Sequence, residues 1–147
     1  MISVEGSMLV ERRSGEVWSF MADVSNAPKW DTGIVEAVQT SSGAAGVGMT
    51  VRAVSNLRGG AEVLNLVVTE YEPGHSLGWR FDVKAGRVQV HYGFEADGTG
   101  TRVTKRTDMW PKGYFRLLQP LIRRRLQKSE INADLGNVKR LLDAEQS

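Results

Sequence analysis

The C-terminal segment of the chain, residues 112–145, reads KGYFRLLQPLIRRRLQKSEINADLGNVKRLLDAE. Its apolar side chains recur at the spacing of an amphipathic helix. They are Phe115, Leu118, Ile122, Ile131, Leu135, Val138 and Leu142. This spacing predicts one long helix, which would extend over roughly 45 Å at ~1.5 Å per residue. Pro120 falls inside the pattern and predicts a kink between residues 116 and 120, because proline removes a helical hydrogen bond.

Upstream of this helix the apolar period changes to two residues, which indicates β-strands. After a first strand between Ile2 and Val10, we predict strands at residues 34–40, 49–55, 61–70, 77–83, 88–94 and 101–109. Glycine-containing turns separate them, at residues 43–48, 58–60, 71–74, 84–86 and 97–100. The pattern is typical of an antiparallel sheet.

Two short helices are predicted between the first and second strands. Ser14 is the expected N-cap of the first, with Glu16 in its first turn. Ser25 or Asn26 caps the second, which carries Pro28 in its first turn and ends near residues 30–31. The order is therefore β, α, α, six strands and one long helix, an α+β fold in which the sheet curls around the last helix.

Composition sets limits on the class of protein. The chain has 147 residues, 41% of them hydrophobic and 24% charged, which predicts one globular domain over residues 1–147. No apolar run reaches the roughly 18 residues of a membrane span, and the N-terminus does not resemble a secretory signal. The absence of cysteine removes disulfides, thiolate metal ligands and thiol nucleophiles, and is consistent with a cytoplasmic location.

Several strings of the chain together resemble the START-like (SRPBCC) superfamily, in its polyketide cyclase/dehydrase and lipid-transport group. They follow the family's order over nearly the whole chain. The strings are residues 15–23 (GEVWSFMAD), 28–31 (PKWD), 46–49 (GVGM), 68–73 (VTEYEP), 98–104 (GTGTRVT) and the apolar pattern of residues 135–142. The resemblance implies a helix-grip fold, with a seven-stranded antiparallel sheet around the C-terminal helix and two small helices at one end.

The resemblance also implies a hydrophobic ligand held between sheet and helix. The residues expected to line its cavity are Trp30, Trp79, Phe81, Tyr92, Phe94, Lys105, Phe115, Leu118 and Ile122. Aromatic walls with a few polar groups suit a flat, apolar ligand. The alternative is a filled core in which the same aromatic side chains pack against one another.

Polar residues that could carry chemistry are few. His75 lies in a turn, and His91 is expected to face away from the aromatic side chains, so neither predicts a catalytic base or a metal site. If Val103 points inward, Lys105 and Thr107 offer polar contacts inside the cavity; alternatively, Lys105 extends to water. No catalytic residue is assigned and no cofactor is expected.

The long helix is the basic part of the chain. Residues 112–147 carry 8 Lys/Arg against 4 Asp/Glu, whereas residues 1–111 carry 11 against 13. Arg123, Arg124 and Arg125 occupy consecutive positions, which fan over about 200° of a helix and form no single flat surface. We therefore expect no nucleic-acid partner. Two interpretations stay open: a solvated helix face, or an approach to an anionic membrane or an acidic partner.

Three functions are consistent with these patterns. The first is binding or transport of a lipid, a quinone or an aromatic polyketide-like compound, with residues 43–48 and 110–114 as the gate. The second is a cyclase/dehydrase-type enzyme that uses the same cavity, in which Lys105, Asp108 or Tyr92 would transfer protons. The third is a protein-interaction module with a filled core. We expect a small hydrophobic molecule as partner, no stable membrane insertion, and a monomer or weak homodimer.

Overall fold

The computed structural model describes residues 1–56 and 60–144. Seven strands form one antiparallel sheet in the order β1-β7-β6-β5-β4-β3-β2, which confirms the predicted sheet. The strands are β1 (Ile2–Val10), β2 (Ile34–Gln39), β3 (Thr50–Ser55), β4 (Glu62–Glu72), β5 (Ser76–Val83), β6 (Gly86–Asp97) and β7 (Gly100–Pro111). Residues 58 and 59 of the predicted turn at 58–60 lie outside the described residues.

The two short helices connect the opposite edges of the sheet. They are α1 (Ser14–Ala22) and α2 (Ala27–Trp30), with a 3₁₀ turn at Val24–Asn26 between them. The predicted N-cap of α1 is wrong by one residue: Arg13 holds the extended cap conformation, and Ser14 already belongs to the helix. Asn26 precedes α2 and Pro28 lies in its first turn, as predicted.

Alternation along β6 and β7 sets the inner face of the sheet. Val90, Tyr92 and Phe94 on β6 point inward, where they meet Val103 and Met109 from β7 in the core. The register of β4 shifts between Val68 and Glu70, and that of β2 shifts between Ile34 and Glu36. Such irregularities bend strands, so they help the sheet to curl around the C-terminal helix.

The predicted long C-terminal helix is present, but its type changes along its length. A 3₁₀ turn at Gly113–Leu118 leads into α3 (Gln119–Leu126), a π-helical segment follows at Gln127–Ala133, and α4 (Asp134–Ala144) ends the chain that the structure describes. Pro120 lies in the first turn of α3, where its missing N–H costs no helical hydrogen bond. The backbone leaves the helical conformation at Leu118 (φ −101°, ψ 16°), inside the predicted range 116–120 but before a helix start rather than in a helix interior. None of the described helices has the length and apolar character that crossing a bilayer requires.

Candidate functional site

Three aromatic rings form a contiguous cluster inside the sheet. The ring centroids of Trp30 and Tyr92 lie 5.8 Å apart at an interplanar angle of 86°, and that of Trp79 lies 5.5 Å from Tyr92 and 6.4 Å from Trp30. Phe94 stacks on the far side of Tyr92 at 6.4 Å. Trp30 and Tyr92 are buried, whereas Trp79 is half-buried. Trp79 is therefore the member of the cluster with most freedom to move.

Two small cavities adjoin this cluster. One lies among α1, α2 and strands β2–β5, and the other lies nearer Lys105 and Glu130; each has a volume of about 70 Å³. Pockets for drug-sized ligands measure roughly 300–1,000 Å³, so both cavities are closed to such a molecule as they stand. The two linings share Asp31, Ile34, Leu66 and Trp79. These shared residues form the wall between the cavities.

Three buried polar atoms have no hydrogen-bond partner in the described part of the chain. They are the indole nitrogen of Trp30, the hydroxyl oxygen of Tyr92 and the hydroxyl oxygen of Thr107. Leaving such groups unpaired costs free energy, roughly 1–3 kcal/mol each. The interior thus offers polar groups that a water molecule or a ligand could satisfy.

A buried ion-pair cluster lies at the polar end of the interior. Lys105 Nζ donates to the carbonyl oxygen of Glu130 at 2.7 Å, to Glu130 Oε2 at 3.0 Å and to Asp134 Oδ2 at 2.9 Å. The same ammonium lies 5.2 Å from the centre of the Tyr92 ring. The side chains of Lys105 and Asp134 are each 1% exposed. The alternative in which Lys105 extends to water is therefore wrong.

A glycine on β1 lets the C-terminal helix lie close to Lys105. Gly6 on β1 pairs with Lys105 on β7, and a Cβ at Gly6 would collide with Ile131 of the π-helical segment. Glycine at this position therefore lets the helix approach the sheet closely. Glu130 belongs to the π-helical segment and Asp134 begins α4, four residues later, so both carboxylates fall on the helix face that meets Lys105.

Two hydrogen bonds between α4 and the end of α2 fix the position of Asp31. The backbone N–H of Thr32 donates to Asp134 Oδ1 at 2.7 Å, and the side-chain amide of Asn137 donates to the carbonyl oxygen of Trp30 at 3.1 Å. Asp31 lies between these two anchored residues and lines both cavities. Trp30 and Asp31 are thereby fixed relative to the helix rather than carried on a free loop.

The charges in this cluster do not balance. Asp31, Glu130 and Asp134 supply three carboxyl groups against the single ammonium of Lys105. Burial alone would lower the pKa of Lys105, but the charges of Asp134 and Glu130 raise it well above its usual value. Burial also raises the pKa of Asp31 well above its usual value, and the negative charges of Asp134 and Glu130 add to the effect.

Of the two neighbouring carboxyls, Asp31 is the one whose surroundings favour a bound proton. Burial raises the pKa of Asp134 too, but Asp134 accepts hydrogen bonds from Lys105 and from the Thr32 N–H, and these favour its ionised form. Asp31 hydrogen-bonds to Asp134, which suits a neutral acid that donates to a carboxylate. Burial raises the pKa of Tyr92 as well, so its phenol is neutral.

A second polar cluster lies on the outer face of the sheet. His91 Nδ1 lies 2.5 Å from Glu70 Oε1, Arg106 Nη2 donates to Asp108 Oδ2 at 2.9 Å, and Ser3 donates to Asp108 Oδ1 at 2.7 Å. His91 faces away from the aromatic cluster, as the alternation of β6 predicts. Asp108 also faces away, which rules out its predicted role in proton transfer inside the cavity. Among the described residues, no acidic or histidine cluster could hold a metal ion.

The residues predicted to line a cavity separate into three groups. Trp30 and Trp79 line the cavity below α1 and α2, and Trp79, Phe81 and Lys105 line the other. Tyr92 and Phe94 lie in the core beside them. Within the described part of the chain, the cavity linings include neither the three helix residues nor residues 110–114 of the predicted gate. Those helix residues are Phe115 and Ile122, which pack partly buried against the core, and Leu118, which is exposed.

Sequence reasoning missed the carboxyl groups of the interior. Asp134 falls three residues after Ile131 and four before Val138, so it occupies the same helix face as the apolar residues that predicted the buried stripe. A carboxylate on that face, combined with an inward Lys105, was the available signal. Asp31 belongs to the PKWD string, but no residue spacing around it indicates an interior position. Its position depends on contacts between α2 and α4, which the local sequence does not reveal.

Comparisons with known proteins agree on the fold. A family model described as "Polyketide cyclase / dehydrase and lipid transport" matches residues 1–143. The search of curated proteins gave no match. Among solved structures, the Zhui aromatase/cyclase from Streptomyces sp. R1128 is similar at 14% identity, with a TM-score of 0.82 over 99% of this chain and 95% of that chain. TTHA0849 from Thermus thermophilus is 15% identical, with a TM-score of 0.81 over 99% of both chains.

The similarity extends to di-domain proteins. The di-domain ARO/CYC BexL from the BE-7585A biosynthetic pathway is 17% identical with a TM-score of 0.80, over 99% of this chain and 47% of BexL. The chain thus spans about half the length of BexL. At these identities the similarity establishes the fold alone.

Proposed function

Because the chain belongs to the polyketide cyclase/dehydrase and lipid transport family, we propose that it binds a small, flat, mostly apolar molecule that carries a carbonyl oxygen. The observation that carries this proposal is the position of Asp31, a carboxyl group at the wall between an apolar cavity and a more polar one that Lys105 and Glu130 line. Burial and the neighbouring negative charges raise the pKa of Asp31, which favours its neutral form. A neutral carboxylic acid in an apolar site donates a hydrogen bond, and a carbonyl oxygen accepts one.

The aromatic cluster supports a flat ligand. Trp30 and Trp79 present ring faces and edges beside the cavity, and aromatic groups pack favourably against such rings in stacked or edge-to-face geometry. The unpaired Trp30 N–H and Tyr92 hydroxyl offer further donors to an oxygen-bearing ligand. An aliphatic lipid chain would use the apolar walls but leave these donors unsatisfied.

Ligand entry requires the two cavities to merge. Trp79 is half-buried and lines both, so a turn of its side chain would join them into one larger space. The loop at residues 43–48 is the better of the two predicted gates, because its Ala45 lines a surface depression together with Ala22, Val24 and Met49, which also line the first cavity. Binding in this scheme is coupled to motion of Trp79.

The first experiment is native mass spectrometry of the purified protein, followed by denaturing extraction of any bound molecule. A co-purified aromatic ketone or quinone supports the proposal. A co-purified fatty acid or other acyl lipid contradicts the flat, aromatic class of ligand and favours the transport of aliphatic lipids.

A matched pair of probes tests the role of Asp31 directly. 1-Tetralone and tetralin have nearly the same shape, but only 1-tetralone carries a carbonyl. We expect 1-tetralone to bind about ten-fold more tightly in a calorimetric titration, because a hydrogen bond to a buried donor contributes about 1.4 kcal/mol in this range. Equal affinities in the unaltered protein would exclude the proposed hydrogen bond.

Three variants separate hydrogen bonding from shape. Asp31→Asn keeps an N–H donor and should keep the preference for 1-tetralone, whereas Asp31→Ala should lose it. Trp79→Ala removes a ring from the wall and should weaken both probes about equally. A preference that survives Asp31→Ala would place the ligand oxygen elsewhere in the interior.

A second candidate function is cyclase/dehydrase catalysis, which the Asp31–Asp134 pair favours. A protonated carboxyl beside an ionised one can donate a proton to a carbonyl oxygen during aldol closure and the following loss of water. The test uses 2,6-heptanedione, which closes to 3-methylcyclohex-2-enone and releases one water. Product formation by the unaltered protein, abolished in Asp31→Asn, supports the enzyme; tight binding of 1-tetralone without turnover supports the binding protein.

A further inference from the structure

The first half of the C-terminal helix packs against the core with one side and leaves its other side exposed. We call residues 112–128 the amphipathic ridge; it comprises the 3₁₀ turn Gly113–Leu118, α3 and the start of the π-helical segment. Phe115, Ile122 and Leu126 pack partly buried against the core. The other large apolar side chains of the ridge point to solvent: Leu117 is 83% exposed, Tyr114 66%, Leu121 62% and Leu118 36%.

These exposed side chains lie close together in the chain and form one apolar patch. Tyr114 and Leu117 are three residues apart, which places them on one side of the 3₁₀ turn, and Leu121 follows in the first turn of α3. Single exposed leucines are ordinary on protein surfaces, but several large apolar side chains within one short helical segment indicate an interaction surface.

The ridge is also strongly basic. Residues 112–129 contain no Asp or Glu, and the ridge carries six cations: Lys112, Arg116, Arg123, Arg124, Arg125 and Lys128. All six are exposed, and none forms an ion pair with a carboxylate in the part of the chain that the structure describes. Arg123 donates to the carbonyl oxygen of Ser3, and Arg123, Arg124 and Lys128 line an open groove beside β1 that also contains Glu5.

From this combination we propose that the ridge docks on the surface of an anionic phospholipid bilayer. Helical backbone satisfies its own N–H and C=O groups, so the ridge can enter the headgroup region without unpaired backbone. Leu117 and Leu121 would reach the acyl boundary, Tyr114 would lie at the headgroup level, and the flanking cations would contact lipid phosphates. Docking of this kind is peripheral and leaves the sheet outside the bilayer.

The positive charge of the ridge argues against a second copy of the chain as its binding partner. A two-fold dimer through the ridge would bring six unpaired cations from each protomer together, which is unfavourable without counter-charges. An acidic protein would match the charge but would need apolar pockets for Leu117 and Leu121. A bilayer supplies anionic phosphate and apolar acyl chains together, whatever the detailed shape of the ridge.

Vesicle co-sedimentation tests the proposal. The full chain is mixed with vesicles of phosphatidylcholine alone, or of two parts phosphatidylcholine to one part phosphatidylglycerol, at low and high salt. We expect binding to the anionic vesicles, weakened by salt because screening shortens the range of the attraction. Comparable binding to both vesicle types, or no binding to either, would overturn the proposal.

Two ridge variants and two controls locate the contact. Leu117→Ser with Leu121→Ser should lower the partition coefficient at least ten-fold, since apolar insertion is lost. Arg124→Gln, Arg125→Gln and Lys128→Gln together should lower it by on the order of a hundred-fold, at roughly five-fold per charge. The controls are Val38→Ser, at an exposed apolar site on the edge strand β2, and Arg140→Gln, on α4; neither should change binding.

Two other results would indicate that the ridge binds something other than a bilayer. Binding of soluble polyglutamate that requires Leu117 and Leu121, without vesicle binding, would identify an acidic protein surface. Self-association in sedimentation velocity that Leu117→Ser with Leu121→Ser abolishes would identify a second copy. Because the ridge lines neither interior cavity, these outcomes do not bear on the proposed ligand.

Discussion

The two halves of the C-terminal helix carry similar apolar spacing but meet opposite environments. The first half, Gly113–Leu126, buries no residue fully, whereas the second half, from Gln127 onward, buries Ile131, Leu135, Val138 and Leu142. The second half also holds the carboxylates that pair with Lys105. Helical periodicity shows which residues share a face, and only the rest of the fold determines what that face meets.

The cause of the difference lies in the sheet. The second half runs over the inner face, where Gly6 permits close approach and Lys105 supplies a buried charge. The first half passes beyond that face and meets the edge strand β1 near Ser3 and Glu5, across an open groove. The second half of the helix is therefore buried in the interior, whereas the first half is exposed and can contact another surface.

The largest expected effect comes from removing the charge that anchors the second half. Lys105→Met should lower the free energy of unfolding by about 3–5 kcal/mol, because it leaves the buried Asp134 and the partly buried Glu130 without a counter-charge. Urea unfolding followed by circular dichroism measures the change. Adding Asp134→Asn should recover part of the loss, since it removes one uncompensated carboxylate and keeps an acceptor for the Thr32 N–H.

The next effect compares the two halves directly by the same kind of truncation. Ile131→Ala should cost about 2–5 kcal/mol, because it removes a fully buried side chain beside Gly6. Leu117→Ala should change stability by no more than about 0.5 kcal/mol, because that side chain is solvated. Similar costs at both positions would mean that the first half is packed against something in solution, such as a second copy.

A third effect depends on pH and concerns Asp31. Its folded pKa is raised, so its stabilising contribution is complete below the ordinary carboxyl pKa of about 4 and is lost as pH rises through the folded value. Asp31→Asn cannot ionise and imitates the protonated acid. The variant should therefore gain thermal stability over the unaltered protein progressively as pH increases above about 4.

The control for this measurement is Asp97→Asn, at an exposed position in the β6–β7 hairpin. That substitution removes a carboxyl at the surface, so a pH trend common to both variants would not be specific to Asp31. A stability difference for Asp31→Asn that stays constant from acid to neutral pH would mean that Asp31 is ionised in the folded protein.

The sheet and the inward aromatic face were predictable because they rest on local patterns. Alternation along β6 placed Tyr92 and Phe94 inside and His91 outside, and alternation along β7 placed Lys105 with Val103. Partners of these residues were not predictable. The ion pairs of Lys105 connect residues 25 and 29 positions apart along the chain, and their geometry depends on a π-helical segment that no residue pattern announced.

The same limit applies to the surroundings of Pro120. Pro120 interrupted a pattern that looked like one helix, but the chain before it forms a 3₁₀ turn, and the α-helix begins only at Gln119. Proline is compatible with a first turn and incompatible with a helix interior. The sequence contained both possibilities, and the local hydrogen bonding of residues 113–119 determines which one occurs.

The smallest expected effect tests this point in the first half of the helix. Pro120→Ala should lower the free energy of unfolding by no more than about 1 kcal/mol, because alanine fits the first turn equally well but leaves the unfolded chain more flexible. A proline inside a helix would behave oppositely, and replacing it with alanine would stabilise the protein by up to about 3 kcal/mol. Denaturant unfolding distinguishes the two signs. A stabilising substitution would mean that the helix of the protein in solution continues through residues 113–119, so that the two halves differ in packing alone and not in backbone geometry.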